Sequence, residues 1–139
     1  MIPKEKRARL YKDMVRVYVS AMSWVLAYNE AEEANEGYPP SLEIQQALDK
    51  LKKSISKVDS KTLAEPEMEH ICAIHDEFQA AYNRLVVIPT PYASGGLVHP
   101  LERFNIYASE GGFDRNLLKK SANSPEEKKL IDDLIEDDF

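Results

Sequence analysis

Tyr92, His99, Arg103, Asn105, Tyr107 and Arg115 lie in or at the edge of one stretch, Ile88 to Asp114, that also holds Gly95, Gly96, Gly111, Gly112, Pro89, Pro91 and Pro100. Guanidinium forks grip carboxylates and phosphates, tyrosine and histidine rings offer stacking faces, and glycine lets a ligand approach the backbone. The set suits recognition of a phosphate, a nucleotide or a protein carboxylate. If Arg103 and Arg115 converge on an open pocket, an anionic small molecule is the ligand. In the alternative, Tyr92, Leu97, Phe104 and Tyr107 plug the end of a helical bundle while the arginines cap carbonyls or pair with Glu102, Glu110 and Asp114.

Other chemistry is thinner. Glu67 and His70 have the E-x-x-H spacing that puts two metal-capable groups on one helical face, with His75 and Asp76 a turn later. A dimetal site in a bundle needs a second such pair and further inward carboxylates, and the chain has no second pair, so no metal is expected. Cys72 falls on an apolar helical face, where thiols are inert. Ser94 and His99 lack both a strand-turn-helix setting and an orienting acid, and the Ser-Gly-Gly segment has neither the spacing nor the lysine of a phosphate loop. No catalytic residue and no cofactor is therefore assigned.

The 139 residues carry a net charge of -6, which opposes general nucleic-acid binding. The charge is unevenly placed. Lys4, Lys6, Arg7, Arg9, Lys12 and Arg16 make the start basic, whereas Glu126, Glu127, Asp132, Asp133, Glu136, Asp137 and Asp138 make the end acidic. These ends are complementary within a subunit, between subunits, or toward separate partners. The segment IDDLIEDDF, residues 131–139, resembles in its last residues the acidic C-terminal tips of single-stranded-DNA-binding proteins. That resemblance implies docking through Phe139 on an apolar pocket rimmed by basic residues, or mimicry of an anionic ligand. A single cysteine and the lack of any signal-peptide core or apolar run of ~20 residues lead to the expectation of a cytoplasmic protein without a membrane span.

The elements that must position these groups read as helices throughout. Leu10, Met14, Val17, Ala21, Trp24 and Tyr28 recur at spacings of four and three, predicting a first helix from about Lys4 to the low thirties. Val15, Val19, Met22 and Leu26 widen its apolar surface until only Lys12, Asp13, Arg16, Ser20 and Ser23 form a polar stripe. Such a helix is central to a bundle or carries a subunit interface. Its charges oppose the helix dipole, with cations in the first turns and Glu30, Glu32, Glu33 and Glu36 at the end. At 1.5 Å per residue it would be ~45 Å long, which suggests an elongated bundle, a kink or an oligomer.

Gly37 to Pro40 stop this helix and Ser41 caps a second with an apolar stripe from Leu42 through Ile44, Leu48, Leu51 and Ile55 to Val58. Pro66 opens a third, ending near Val87, whose inward face holds Met68, Ile71, Cys72, His75, Phe78, Tyr82 and Leu85. Pro100 starts a short helix ended by Gly111 and Gly112, leaving 88–99 irregular. Asp114 caps another short helix through Leu117 and Leu118, and Ser124, Pro125 and Glu127 form a capping box for a last helix over 125–139.

The expected fold is one all-α domain, residues 1–139: an elongated bundle of one long central helix, an amphipathic hairpin and shorter C-terminal helices around a Gly/Pro-rich segment. The expected function is a non-enzymatic protein-interaction module, such as a small inhibitor, adaptor or assembly subunit. It would act by surface complementarity, as a homo-oligomer through the first helix. The alternative is a protein that binds a nucleotide or other anionic small molecule through Arg103 and Arg115, and the third a metal-dependent helical enzyme around Glu67 and His70.

Overall fold

The computed structural model describes residues 3–33, 41–59, 63–87 and 91–136, without the side chains of 30–33, 87, 91–95 and 135–136. Six helices follow one another: α1 (Pro3–Glu33), α2 (Leu42–Ser56), α3 (Glu65–Val87), α4 (Pro91–Ser109), α5 (Arg115–Lys120) and α6 (Pro125–Glu136). No strand occurs among the described residues, so the chain is an all-α bundle. No described helix is long and apolar enough to cross a membrane. The expected stop at Gly37 to Pro40 lies outside the described residues.

α1 begins at Pro3, where a missing N–H costs nothing because the first amides of a helix have no internal partner. It packs on α2, α4 and α5. Leu10, Met14, Val17, Ala21 and Trp24 are buried along the expected seam, but so are Val15, Tyr18, Val19 and Val25 beside it. Among the described side chains of α1, Leu26 is the large apolar group left exposed, at 55%. The broad apolar surface on which self-association through this helix was expected is thus covered by the chain itself.

Ser41 caps α2, its hydroxyl accepting from the Glu43 N–H at 3.2 Å. Ile44, Leu48 and Leu51 are buried, Ile55 and Val58 are partly buried, and Leu42, expected in the same stripe, is exposed. The Ser54 hydroxyl donates to Asp13, so the last turns of α2 lie against the first turns of α1 in an antiparallel pair. On α3, Ile71, Ile74, Phe78, Ala81 and Leu85 are buried, while Cys72 is only half-buried. Burial and then the Asp76 charge raise its thiol pKa, which keeps it a poor nucleophile.

Of the segment 88–99 expected to be irregular, 88–90 lie outside the described residues and the rest is helical instead: α4 runs from Pro91 through Gly95, Gly96 and Pro100 to Ser109. Proline inside a helix costs about 3 kcal/mol and each glycine about 1. Leu97, Leu101, Phe104 and Ala108 are buried in one stripe, and each large apolar side chain so buried contributes roughly 1.5–3 kcal/mol. Packing on α3 and α1 therefore outweighs the local preference. The helix ends as expected: Gly111 adopts φ +82°, and the Gly112 N–H donates to the Tyr107 carbonyl at 2.7 Å. A side chain at Gly112 would meet the Tyr107 backbone at 3.2 Å.

The last two caps also form. Asp114 Oδ1 accepts from the Leu117 N–H at the start of α5. Ser124 accepts from the Glu127 N–H at 3.1 Å, while Glu127 Oε2 accepts from the Asn123 N–H at 2.8 Å. The buried Glu127 also takes Arg16 at 2.8 Å, which is one point where the basic start of the chain meets its acidic end.

Candidate functional site

The recognition residues expected from the sequence do not form one site. Arg115 turns back on the end of α4, its Nε donating to the Ala108 carbonyl at 3.2 Å and its Nη2 to the Ser109 carbonyl. Arg103 points to α3, pairing with Glu77 at 2.9 Å, and its Nη1 donates to the Tyr107 hydroxyl at 3.4 Å. The two arginines do not converge, and the anion pocket expected between them is not formed. Asn105 Oδ1 accepts from the Tyr18 hydroxyl at 3.3 Å. The Tyr107 ring packs on His70 and Phe113, with centroids 4.4 and 5.6 Å away.

His99 and Arg103 line an open groove of about 570 Å³ between α3 and α4, together with Glu77, Arg84, Gly96 and Glu102. Two arginines facing two carboxylates leave it close to neutral. Leu97 and Phe104 are buried and Tyr107 is partly buried, with Phe104 stacked on Tyr18 at 4.6 Å and tilted against Phe113 at 5.2 Å. The Tyr92 side chain and Phe139 lie outside the described residues.

Glu67 is taken up in structural bonds, whereas the buried His70 Nδ1 has no hydrogen-bond partner among the described residues. Glu67 Oε1 accepts from the Tyr11 hydroxyl at 2.7 Å and from Arg7 Nη2 at 3.0 Å. Arg7 Nη1 donates to Asp114 Oδ2 at 3.1 Å, and the Asp114 N–H donates back to the Tyr11 hydroxyl at 2.9 Å. This ring of bonds ties α1, α3 and the cap of α5 together. Burial, and then the neighbouring Glu67 carboxylate, push the Tyr11 phenol well above its usual range. Burial also raises Tyr18, to about 12. For Asp114, burial works upward but is outweighed by the Leu117 N–H and Arg7, leaving the carboxyl below its ordinary value.

The opposite flank of the same turns of α1 is different. Between α1 and α2 runs a groove of about 250 Å³ lined by Lys6, Arg9, Lys50, Lys53 and Lys57, with Asp13 and Ser54 between them. Among the described residues none of the five cations forms an ion pair, and the one carboxylate present accepts from Ser54. A second cleft, about 370 Å³ between α1 and α5, adds Lys4, Lys12 and Lys120. Clustered like charges repel, so the arrangement is unfavourable to the isolated chain and favourable to an incoming anion.

Lys6 and Arg9 belong to the basic start of α1 noted in the sequence, whereas Lys50, Lys53 and Lys57 are not among the expected site residues. Their i, i+3, i+7 spacing marks one helical face beside the apolar stripe of α2. That spacing was a visible signal; what it lacked was the knowledge that α2 returns antiparallel along the first turns of α1.

The groove can hold carboxylates or phosphates by charge-assisted hydrogen bonds, with lysine ammoniums acting as flexible point charges and Arg9 as a planar fork. Comparison of the chain with protein-family models, with curated proteins and with solved structures finds no match.

Proposed function

We propose that this protein is a non-enzymatic interaction module that docks an acidic segment of a protein partner in the groove between α1 and α2. The observation that carries the reading is the groove itself: five cations, none ion-paired among the described residues, around a single carboxylate in a chain of net charge -6. A surface of this kind steers an oppositely charged partner and sets its register, with a strong dependence on salt. Its short span suits a short acidic segment. A long polyanion would run on past Asp49 and Asp59, which flank Lys50 and Lys57 in the chain and are exposed.

The test is fluorescence anisotropy with a glutamate-rich peptide at low and physiological ionic strength. Binding should weaken at least ~10-fold, about 1.4 kcal/mol, when Lys50, Lys53 and Lys57 are all changed to Glu. Binding that these changes leave intact overturns the proposal. Affinity capture from the native host with the two forms side by side then identifies the partner.

A further inference from the structure

The groove is matched by a segment of opposite charge on the same chain. Asp132, Asp133, Glu136, Asp137 and Asp138 put five carboxylates within residues 132–138, against the five cations of the groove. On α6, Asp133 is exposed and Asp132 half-buried, and neither is ion-paired among the described residues. The ion pair that joins α6 to α1 uses Glu127, in the first turn of α6.

The acidic segment and the α1 side of the groove are also placed against their helix dipoles, whereas Lys53 and Lys57 lie at the C-terminal end of α2, which favours cations. Lys4, Lys6 and Arg9 crowd the positive N-terminal end of α1, and Asp132, Asp133 and Glu136 crowd the negative C-terminal end of α6, which has no basic residue in its last turn. Each such placement is disfavoured at an exposed helix end. Contact between the two ends relieves both at once. Within one chain Asp132 and Asp133 are on the wrong side for it: the groove lies on the α2 side of α1, whereas α6 packs on α4 and α5.

We infer that the groove between α1 and α2 receives the acidic segment 132–138 of a second copy of this chain, so that copies associate head to tail. The inference rests on the proposed role of the groove and names its partner. The contact is heterologous, because the two surfaces differ, and each bound copy brings a further groove and a further acidic segment. Association is therefore open-ended unless a ring closes, and it weakens as salt screens the charges.

The experiment is sedimentation velocity on the full chain over a ~100-fold concentration range at about 0.05 M and about 0.5 M salt. The expected result is a mass that grows with concentration at low salt and falls to the monomer at high salt. Lys53→Glu with Lys57→Glu removes the groove, and Asp133→Lys with Glu136→Lys removes the acidic segment. Each variant alone should be monomeric. Mixed one to one, they should form a discrete heterodimer and nothing larger, because one intact groove and one intact segment remain. Circular dichroism identifies a variant that fails to fold, and the mixing result then rests on a replacement, Lys50→Glu or Asp132→Asn.

A wild-type chain that stays monomeric across the range at low salt overturns the inference, as does association that neither variant changes. The glutamate-rich peptide separates this failure from failure of the proposed function. A monomeric protein that binds the peptide through the groove ends the self-association and leaves the docking role standing. A monomeric protein that ignores the peptide ends both, and one that prefers a single-stranded oligonucleotide to the peptide also ends both.

Discussion

Arg7 and Arg9 sit two residues apart on α1, carry the same charge, and are used in opposite ways. Arg7 faces α3 and α5, with a side chain 29% exposed, and holds Glu67, itself 15% exposed, and Asp114 at 3.0 and 3.1 Å. Its guanidinium also lies 5.4 Å from the centroid of the Tyr11 ring. Arg9 is exposed on the α2 side, where its neighbours are Lys6, Lys53 and Lys57. One flank of the helix turns a cation into a strut between three elements; the other gathers five cations around a single carboxylate. A basic run in a sequence is thus not one feature. Burial and partner chemistry divide it into charges that build the fold and charges that remain for binding.

The most severe way to break this contrast is to remove the packed floor beneath the strut. Phe104→Ala, at a fully buried ring stacked on Tyr18, should cost about 3–5 kcal/mol in urea denaturation. A loss below ~1 kcal/mol would mean that the aromatic cluster is not the mechanical base of this end of the bundle.

Next in size is the direct comparison. Arg7→Ala leaves the Glu67 carboxylate without its cation and should cost about 1–3 kcal/mol, whereas Arg9→Ala should stay within ~0.5 kcal/mol. Equal losses at the two positions would erase the division between the flanks. Tyr11→Phe sharpens it further. The hydroxyl both donates to Glu67 and accepts from the Asp114 N–H, so its loss should cost about 1–2 kcal/mol with no cavity left behind.

Acid should weaken the strut. The Asp114 carboxyl lies below its ordinary value in the folded chain, because the Leu117 N–H and Arg7 outweigh the upward effect of burial. A lowered folded pKa means that the unfolded chain takes up its proton first. The contribution is full above about pH 4 and is lost as pH falls through the lower folded value. The urea midpoint should therefore decline over that window, and less steeply in Arg7→Ala than in the wild type. The smallest effect is expected on the open flank: Lys53→Glu should change stability by no more than ~0.5 kcal/mol, because relief of repulsion in the groove is offset by loss of a cation from the last turn of α2.

Much of the helical layout was legible because its signals are local. Ser41, Asp114 and the Ser124–Glu127 box stop or start helices through bonds to amides only two to four residues away. The seam from Leu10 to Trp24 announces itself by its spacing. The first half of α4 was not legible, because Gly95, Gly96 and Pro100 report only their local cost, while the compensating burial of Leu97 and Phe104 is supplied by α3 and α1. Arg103 and Arg115 looked like one site because they are close in the chain. The turn at Gly111 and Gly112 parts them, sending one to Glu77 and the other to the carbonyls that end α4.

By itself, then, the sequence determined the helical periodicities, the caps and the opposite charges of the two ends, all of which depend on residues a few positions apart. The tertiary structure alone decided which cations are struts and which are free, and that Lys50, Lys53 and Lys57 join Lys6 and Arg9 around one groove. The reason is physical. Charge interactions depend on distance and desolvation in space, and only the antiparallel packing of α2 on α1 brings groups more than forty residues apart in the chain into one field.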